Sequence, residues 1–273
     1  MPEDKAVVDR VTKEVVGAVR GVGDLAGAVV DVISDTLIRG LRGARSVGGE
    51  AGSLFTDTMK GAVKGTKEVG AEVGEVAKGA MIGVLKGTRD VSTSALDAIG
   101  TSARSLVQNT TSVGEDVAET ARGAAEGAII AAKELGINLS EAASTASQAV
   151  IEGAGDVGAK LGATAKGALT GIFRGTTEVG GDAIETIRAS ASGLIKSTAS
   201  VGGDLTAAAR GAVEGAIEAA KEVGVDSSEA ASAAASAAVK AAGDVSSAAG
   251  KEVQDAVTGT ISGVKVVVKE PFK

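Results

Sequence analysis

Two similar stretches of sequence, 88 residues apart, decide the fold. The first is Arg122-Gly-Ala-Ala-Glu-Gly-Ala-Ile-Ile-Ala-Ala-Lys-Glu-Leu-Gly136, and the second is Arg210-Gly-Ala-Val-Glu-Gly-Ala-Ile-Glu-Ala-Ala-Lys-Glu-Val-Gly224. A shorter stretch, Lys64-Gly-Thr-Lys-Glu-Val69, returns after 22 residues as Lys86-Gly-Thr-Arg-Asp-Val91. Because similarity at a fixed period is the signature of a repeat architecture, the chain is built from tandem units of 22 residues.

Aligning the units without gaps produces two columns of apolar residues, the second column six residues before the first. Twenty-two residues complete about six helical turns, so both columns lie on one arc of an amphipathic helix, and charged residues lie mainly on the opposite side. We expect both columns to face lipid or a second copy of the chain. The first column contains Val47, Val69, Val91, Val113, Val157, Val179 and Val201, and the second contains Leu41, Val63, Leu85, Ile129, Phe173, Ile195 and Ile217.

Turn signals follow the valine column in most units. A glycine comes directly after the valine, and a capping residue comes two positions later, with an acid three positions beyond it in the clearest cases, such as Asp226 and Glu229. This is the order of a helix C′ glycine, an N-cap and a capping-box acid. It predicts helices of about 18 residues, each about 27 Å long, that stack as antiparallel hairpins in an elongated all-α repeat.

Longer continuous helices are an alternative, because a 22-residue period keeps its apolar arc in phase without any turn. Such a helix would be on the order of 400 Å long. Residues 69–74 and 154–160 favour this alternative, since neither stretch contains a convincing cap. Disorder is a third alternative, but glycines kept in register disfavour it. We divide the chain into a helical lead-in at 1–18, a repeat region at 19–261 and a tail at 262–273, whose β-prone valines predict a short strand or an assembly arm.

Glycines four residues apart mark one flank of several helices. An interior glycine costs about 1 kcal/mol relative to alanine, so we expect an isolated chain to be unstable. Glycines at this spacing remove the Cβ atoms that hold a neighbouring helix away, as in small-xxx-small helix packing. We therefore expect this flank to pack against helices of other copies in a large homo-oligomer. The glycines are Gly79, Gly83, Gly87, Gly123, Gly127, Gly167, Gly171, Gly175, Gly211 and Gly215.

Composition excludes several classes of function. The chain contains no His and no Cys, which removes imidazole acid/base catalysis, Cys-His nucleophiles and the usual zinc sites. We therefore expect no catalytic residue, metal or cofactor. A net charge of −7 disfavours nucleic acid as a partner. Since no apolar run spans a bilayer and no signal peptide is apparent, we expect a cytoplasmic protein that is soluble or peripheral to a membrane.

Charged residues four apart predict ion pairs along single helices. Lys86 and Asp90 form one such pair in the sequence, and Arg174 and Glu178 form another. We expect these pairs on the solvent side of the helices.

The Lys64–Gly70 and Lys86–Val91 stretches resemble the Lys-Thr-Lys-Glu-Gly-Val repeats of the synucleins, and the Ala/Gly/Thr/Lys/Glu composition is similar to that of group-3 late-embryogenesis-abundant proteins. The resemblance implies an amphipathic helix that binds lipid surfaces, or a desiccation protectant.

From the repeat, the columns and the glycine flanks, we expect a non-enzymatic structural protein. It would self-assemble through close Ala/Gly helix packing into a filament, tube or coat. The alternatives are an apolipoprotein-like coat on a lipid or membrane surface, and a stress protectant.

Overall fold

The computed structural model of the protein describes residues 2–19, 25–43, 49–88 and 94–268. These residues form twelve helices followed by a small antiparallel hairpin, so the predicted all-α repeat of helices near 18 residues is confirmed. The elements are α1 (Pro2–Val19), α2 (Leu25–Gly43), α3 (Gly49–Val69), α4 (Val73–Thr88), α5 (Ala95–Val113), α6 (Val117–Glu134), α7 (Leu139–Asp156), α8 (Leu161–Glu178), α9 (Ala183–Ser200), α10 (Leu205–Val223), α11 (Ser227–Val245), α12 (Ser247–Val257), β1 (Gly259–Ile261) and β2 (Val264–Val266).

The helices stack in two layers. Each helix from α1 to α9 packs more extensively against the second helix after it than against the next helix in the chain. Helices α1, α3, α5, α7, α9 and α11 therefore form one layer, which we call the odd layer. Helices α2, α4, α6, α8 and α10 form the even layer. The apolar core lies between the two layers and runs along the whole stack.

Glycines in the left-handed conformation end the helices where the repeat predicts turns. Seven glycines that follow the first column have φ between 64° and 78°. A residue with a side chain is strained in this conformation, so glycine is the residue that reverses the chain here at least cost. These glycines are Gly70, Gly114, Gly136, Gly158, Gly180, Gly202 and Gly224. The equivalent Gly48 lies outside the described residues.

The predicted N-caps are also confirmed. The Asp226 carboxylate accepts hydrogen bonds from the backbone N–H groups of Ser228 at 2.8 Å and Glu229 at 3.1 Å. Asp116, Asn138, Asp182 and Asp204 cap α6, α7, α9 and α10 in the same way.

Turns form even where the sequence lacks a cap, so the continuous-helix alternative is wrong at those places. Lys160 precedes α8 without any side-chain cap, and Gly158 before it has a φ of 66°. Gly70 likewise breaks the chain between α3 and α4. A left-handed glycine is therefore enough to end a helix without a side-chain cap when the apolar arc of the helix is buried between the two layers.

Replacing Asp226 by alanine should lower the free energy of unfolding by about 1 kcal/mol, because two N–H groups of α11 lose their acceptor. The measurement is urea unfolding followed by circular dichroism. Lys160→Ala is the matched control, since Lys160 occupies the N-cap position of α8 without accepting a hydrogen bond. Equal losses in the two variants would show that the cap at Asp226 does not stabilise α11.

The expected lead-in and tail correspond to a full helix and to part of a hairpin. The lead-in residues belong to a full helix, α1, which packs in the odd layer against α3. The expected strand is present as a hairpin, but β1 begins at Gly259, before the predicted boundary at 262. Helix α12 is only 11 residues long and packs across α10 and α11.

Candidate functional site and interaction surfaces

The second column forms the core of the protein. Its described members Val63, Leu85, Ile129, Phe173, Ile195 and Ile217 are each at most 1% exposed. The opposite layer of the same chain covers them, so in this fold they face neither lipid nor a second copy, contrary to the expectation. The side chain of Leu41 lies outside the described residues.

The first column lies at the helix ends. Val113, Val157 and Val179 are half-buried beside the turns, and Val201 is 37% exposed. Each precedes a left-handed glycine at a turn, and Val113 and Val179 pack against the end of the core. The expectation of a lipid-facing or self-association stripe therefore does not hold for these four residues. The side chains of Val47, Val69 and Val91 are outside the described part of the chain.

The glycine flank does pack against another helix at short distance, but that helix belongs to the same chain. A Cβ atom built on Gly79 would lie 2.5 Å from the carbonyl oxygen of Ala26 in α2, and one on Gly215 would lie 2.5 Å from that of Lys166 in α8. All ten predicted glycines face the preceding helix of the even layer: Gly79, Gly83 and Gly87 face α2, Gly123 and Gly127 face α4, Gly167, Gly171 and Gly175 face α6, and Gly211 and Gly215 face α8. We call these sets the glycine rows.

Because the glycine rows are occupied within the chain, they are not available to helices of other copies. Close packing at these residues joins helices of one chain, and assembly into a large homo-oligomer stays a prediction. Equivalent contacts occur in the odd layer, where Gly153 lies over the carbonyl oxygen of Arg104 and Gly193 over that of Ser144, each 49 residues earlier.

Ion pairs on the outer faces join neighbouring helices of one layer. Lys86 Nζ lies 3.5 Å from Glu134 Oε2, and Arg174 Nη2 lies 2.5 Å from Glu222 Oε2, each pair being 48 residues apart. The predicted i,i+4 pairing of Arg174 is therefore wrong, and Asp90 lies outside the described residues. Close approach of the helices brings these side chains together across the seam, where each exposed pair contributes at most about 1 kcal/mol.

The most buried ion pair joins α4 and α6. Lys78 Nζ lies 2.6 Å from Glu126 Oε1 and 3.4 Å from Glu178 Oε2, and the side chains of Lys78 and Glu126 are 18% and 11% exposed. Burial alone would lower the pKa of Lys78, but the hydrogen bond to Glu126 and the charges of Glu126, Glu178 and Glu75 raise it overall. Lys78 therefore stays charged, and its partners hold it in place.

Asp156 accepts hydrogen bonds from Arg104 and Gln108, which lower the pKa of its carboxyl below the ordinary value. A group with a depressed folded-state pKa stabilises the fold above its unfolded pKa of about 3.9, and this stabilisation disappears as the pH falls through the folded pKa.

We expect Asp156→Asn to lower the free energy of unfolding by about 0.2 to 1 kcal/mol at pH 7, since the group is largely exposed. The difference from the native chain should shrink below about pH 4, and urea titrations at several pH values measure it. Glu141→Gln, on an exposed residue of α7 outside the ion pairs, is the control. A difference that is constant with pH would contradict the ion-pair explanation.

Sequence reasoning missed a column of buried threonines. Thr66, Thr110, Thr176 and Thr198 are fully buried, and each hydroxyl donates to the carbonyl four residues earlier. These residues repeat in the 22-residue period three positions before the first column, so the alignment of units contained the signal. Because each threonine hydroxyl is hydrogen-bonded within its own helix, these polar side chains can be buried in the thin core.

The first helix of the even layer carries charged residues where later helices of that layer carry glycines. Asp35 and Arg39 of α2 stand 44 residues before Gly79 and Gly83, in the columns that carry glycine in α4. Both are exposed, and Arg39 Nη2 lies 3.6 Å from Glu14 Oε2 of α1. Charged side chains at these positions would keep the backbone of a further helix away.

The C-terminal end is closed by the hairpin. The Ser228 hydroxyl donates to the carbonyl oxygen of Lys265 at 2.8 Å, and the backbone N–H of Val267 donates to the Ser232 hydroxyl at 3.2 Å. The hairpin therefore lies along α11, on a side where a further helix of the odd layer would pack. Terminal units that differ from the internal ones in this way are typical of repeat proteins.

Two shallow grooves open on the outer faces. One, of about 1240 Å³, runs between α9 and α11 and is lined by odd-layer residues. The other, of about 620 Å³, lies between α2 and α4 beside Lys78. In the described ranges, no cluster of three or more acidic residues is arranged to bind a metal ion. Among the helices in those ranges, none has both the length and the apolar composition needed to cross a bilayer.

The comparisons with known proteins give a structural likeness and no family. No protein-family model and no curated protein matches the chain. Among solved structures, the chain is similar to the crystal structure of the de novo designed helical repeat protein DHR7, with 22% identity and a TM-score of 0.38 over 63% of this chain and 94% of that one. The chain is an all-α tandem helical repeat protein.

Proposed function

We propose that the protein is a non-enzymatic structural protein, a self-supporting helical scaffold. The glycine rows carry this proposal, because they pack helix backbones of one chain together at distances that a Cβ atom would block. The close Ala/Gly packing that we expected between copies in a filament here joins the helices of one chain.

The surface of the stack supports a structural role. Ion pairs such as Lys166 with Glu218, at 2.6 Å, link consecutive helices of one layer on the outside. Asp35 and Arg39 are exposed on α2 at one end of the stack, and the hairpin lies along α11 at the other. Assembly into a filament, tube or coat would therefore use the outer faces of the layers and not the glycine rows.

A lipid coat fits the geometry less well. Binding a lipid surface requires an exposed apolar arc, and the arc that contains Phe173 and Ile195 is buried in the core. A lipid coat would require the two layers to separate. A protectant that becomes helical only on drying would likewise lack the packed core in solution.

Small-angle scattering and circular dichroism test the scaffold. We expect an elongated, helical particle in dilute buffer, with helicity unchanged by vesicles of anionic phospholipid. Helicity that appears only with vesicles would support the lipid coat, and helicity that appears only on drying would support the protectant. Either result would contradict the scaffold.

Two insertions after Asp182 sharpen this test. A second copy of residues 139–182 adds one odd and one even helix, so the longest dimension should grow by about 8 to 10 Å while the chain stays folded. A second copy of residues 161–182 alone is the matched control, because it moves every later helix into the wrong layer and should weaken the cooperativity of unfolding. Equal tolerance of both insertions would contradict the two-layer scaffold.

A further inference from the structure

The groove between α9 and α11 differs from the seams elsewhere in the odd layer. Gly193 of α9 packs closely on α7, and the equivalent residue of α11, 44 residues later, is Ala237. Ala233 and Ala241, one turn to either side of Ala237, are also alanines. The groove is open to solvent between the two helices, and small side chains, including Ser192, form much of its lining. A second surface could therefore approach closely here.

Charges along this groove form a repeated pattern. Glu185 and Lys196 lie 11 residues apart on α9, and Glu229 and Lys240 lie 11 residues apart on α11. All four line the groove and are exposed. Since 11 residues make about three helical turns, each helix presents an acid and, about 16 Å further along, a base on one face.

Within the described ranges, these four charges have no ion-pair partner. None of them forms an ion pair with another residue of the described ranges, whereas Arg104 of α5 contacts both Glu152 and Asp156 of α7. The pattern is also specific to this groove. The equivalent positions on α7 carry two acids, Glu141 and Glu152.

We propose that this face binds a second copy of the chain in an antiparallel, two-fold symmetric dimer. Helices α9 and α11 run parallel, so a two-fold axis that lies in the interface and crosses both helices places each of them antiparallel to its own copy. The rotation places Glu185 opposite Lys196 of the second copy, and Glu229 opposite Lys240. Four pairs of opposite charge then form, and Arg188 and Asp244, which also line the groove, lie outside these pairs.

Reversing the charges tests this arrangement. The Glu185→Lys, Glu229→Lys variant makes all four of these positions basic, and the Lys196→Glu, Lys240→Glu variant makes all four acidic. All four residues are exposed, so both variants should fold, which circular dichroism checks. We expect the native chain to sediment as a dimer, each variant as a monomer, and an equimolar mixture of the two variants as a heterodimer, which native mass spectrometry distinguishes by mass.

The matched control is Lys60→Glu, Lys67→Glu at exposed positions of α3. It makes the same change in net charge as Lys196→Glu, Lys240→Glu and should stay dimeric. A native chain that is monomeric at its highest soluble concentration overturns the proposal, and so does a mixture that fails to pair. Loss of the dimer in the control as well would show that net charge, and not this groove, controls association. The dimer deepens the proposed structural role, but a folded monomer would refute only the dimer and leave the scaffold standing.

Discussion

Replacement of Gly171 by alanine should destabilise the protein by about 2 kcal/mol or more, although alanine is the better helix former. A Cβ atom at this position would press against the backbone carbonyl of Arg122 and lie 3.0 Å from the backbone nitrogen of Glu126. Both obstacles are backbone atoms of a packed helix, so α8 or α6 must shift. Thermal or urea unfolding followed by circular dichroism measures the loss.

Gly17→Ala is the matched control. Gly17 also lies inside a helix, but a Cβ atom there would meet nothing within 4 Å. This variant should gain up to about 1 kcal/mol from helix propensity alone. A gain of similar size in Gly171→Ala would mean that α6 and α8 do not approach as closely as the structure has them.

Replacement of Phe173 by alanine should cost about 3 to 5 kcal/mol, because Phe173 is fully buried between the layers and its loss leaves a cavity. Val201→Ala, in the other apolar column, should change the free energy of unfolding by no more than about 0.5 kcal/mol, since Val201 is 37% exposed at a turn.

The same unfolding measurements separate the two columns. A large loss at Val201 with little loss at Phe173 would mean that the first column, and not the second, forms the core. Comparable small losses at both sites would mean that neither column is packed against a second layer.

Much of the fold follows from local sequence signals. The 22-residue period, the glycine after each valine and caps such as Asp226 act within one turn of the chain, so they predicted the helix ends. The glycines at 79, 83 and 87 predicted a bare flank that receives a helix. Each of these predictions depends on the size or the conformational preference of a residue, which follows directly from the residue type.

What the sequence left open is which helix fills which flank. A bare glycine flank fits a helix of the same chain as well as one of another chain. Which of them binds depends on whether the two intervening turns bring the next helix but one back against the flank. A helical wheel also places Phe173 and Val179 on one arc, although one lies mid-helix and the other at a turn. The groove charges at Glu185 and Lys240 became apparent only when the structure placed α9 beside α11.

Intrachain packing of the glycine rows is tested most directly by measuring helicity as the protein is diluted. Circular dichroism and thermal melting of the lipid-free chain, down to concentrations at which sedimentation shows only monomer, should give constant high helicity and a transition that stays cooperative. Helicity that falls with dilution, and returns only as copies associate, would show that the helices depend on other chains and would contradict the scaffold.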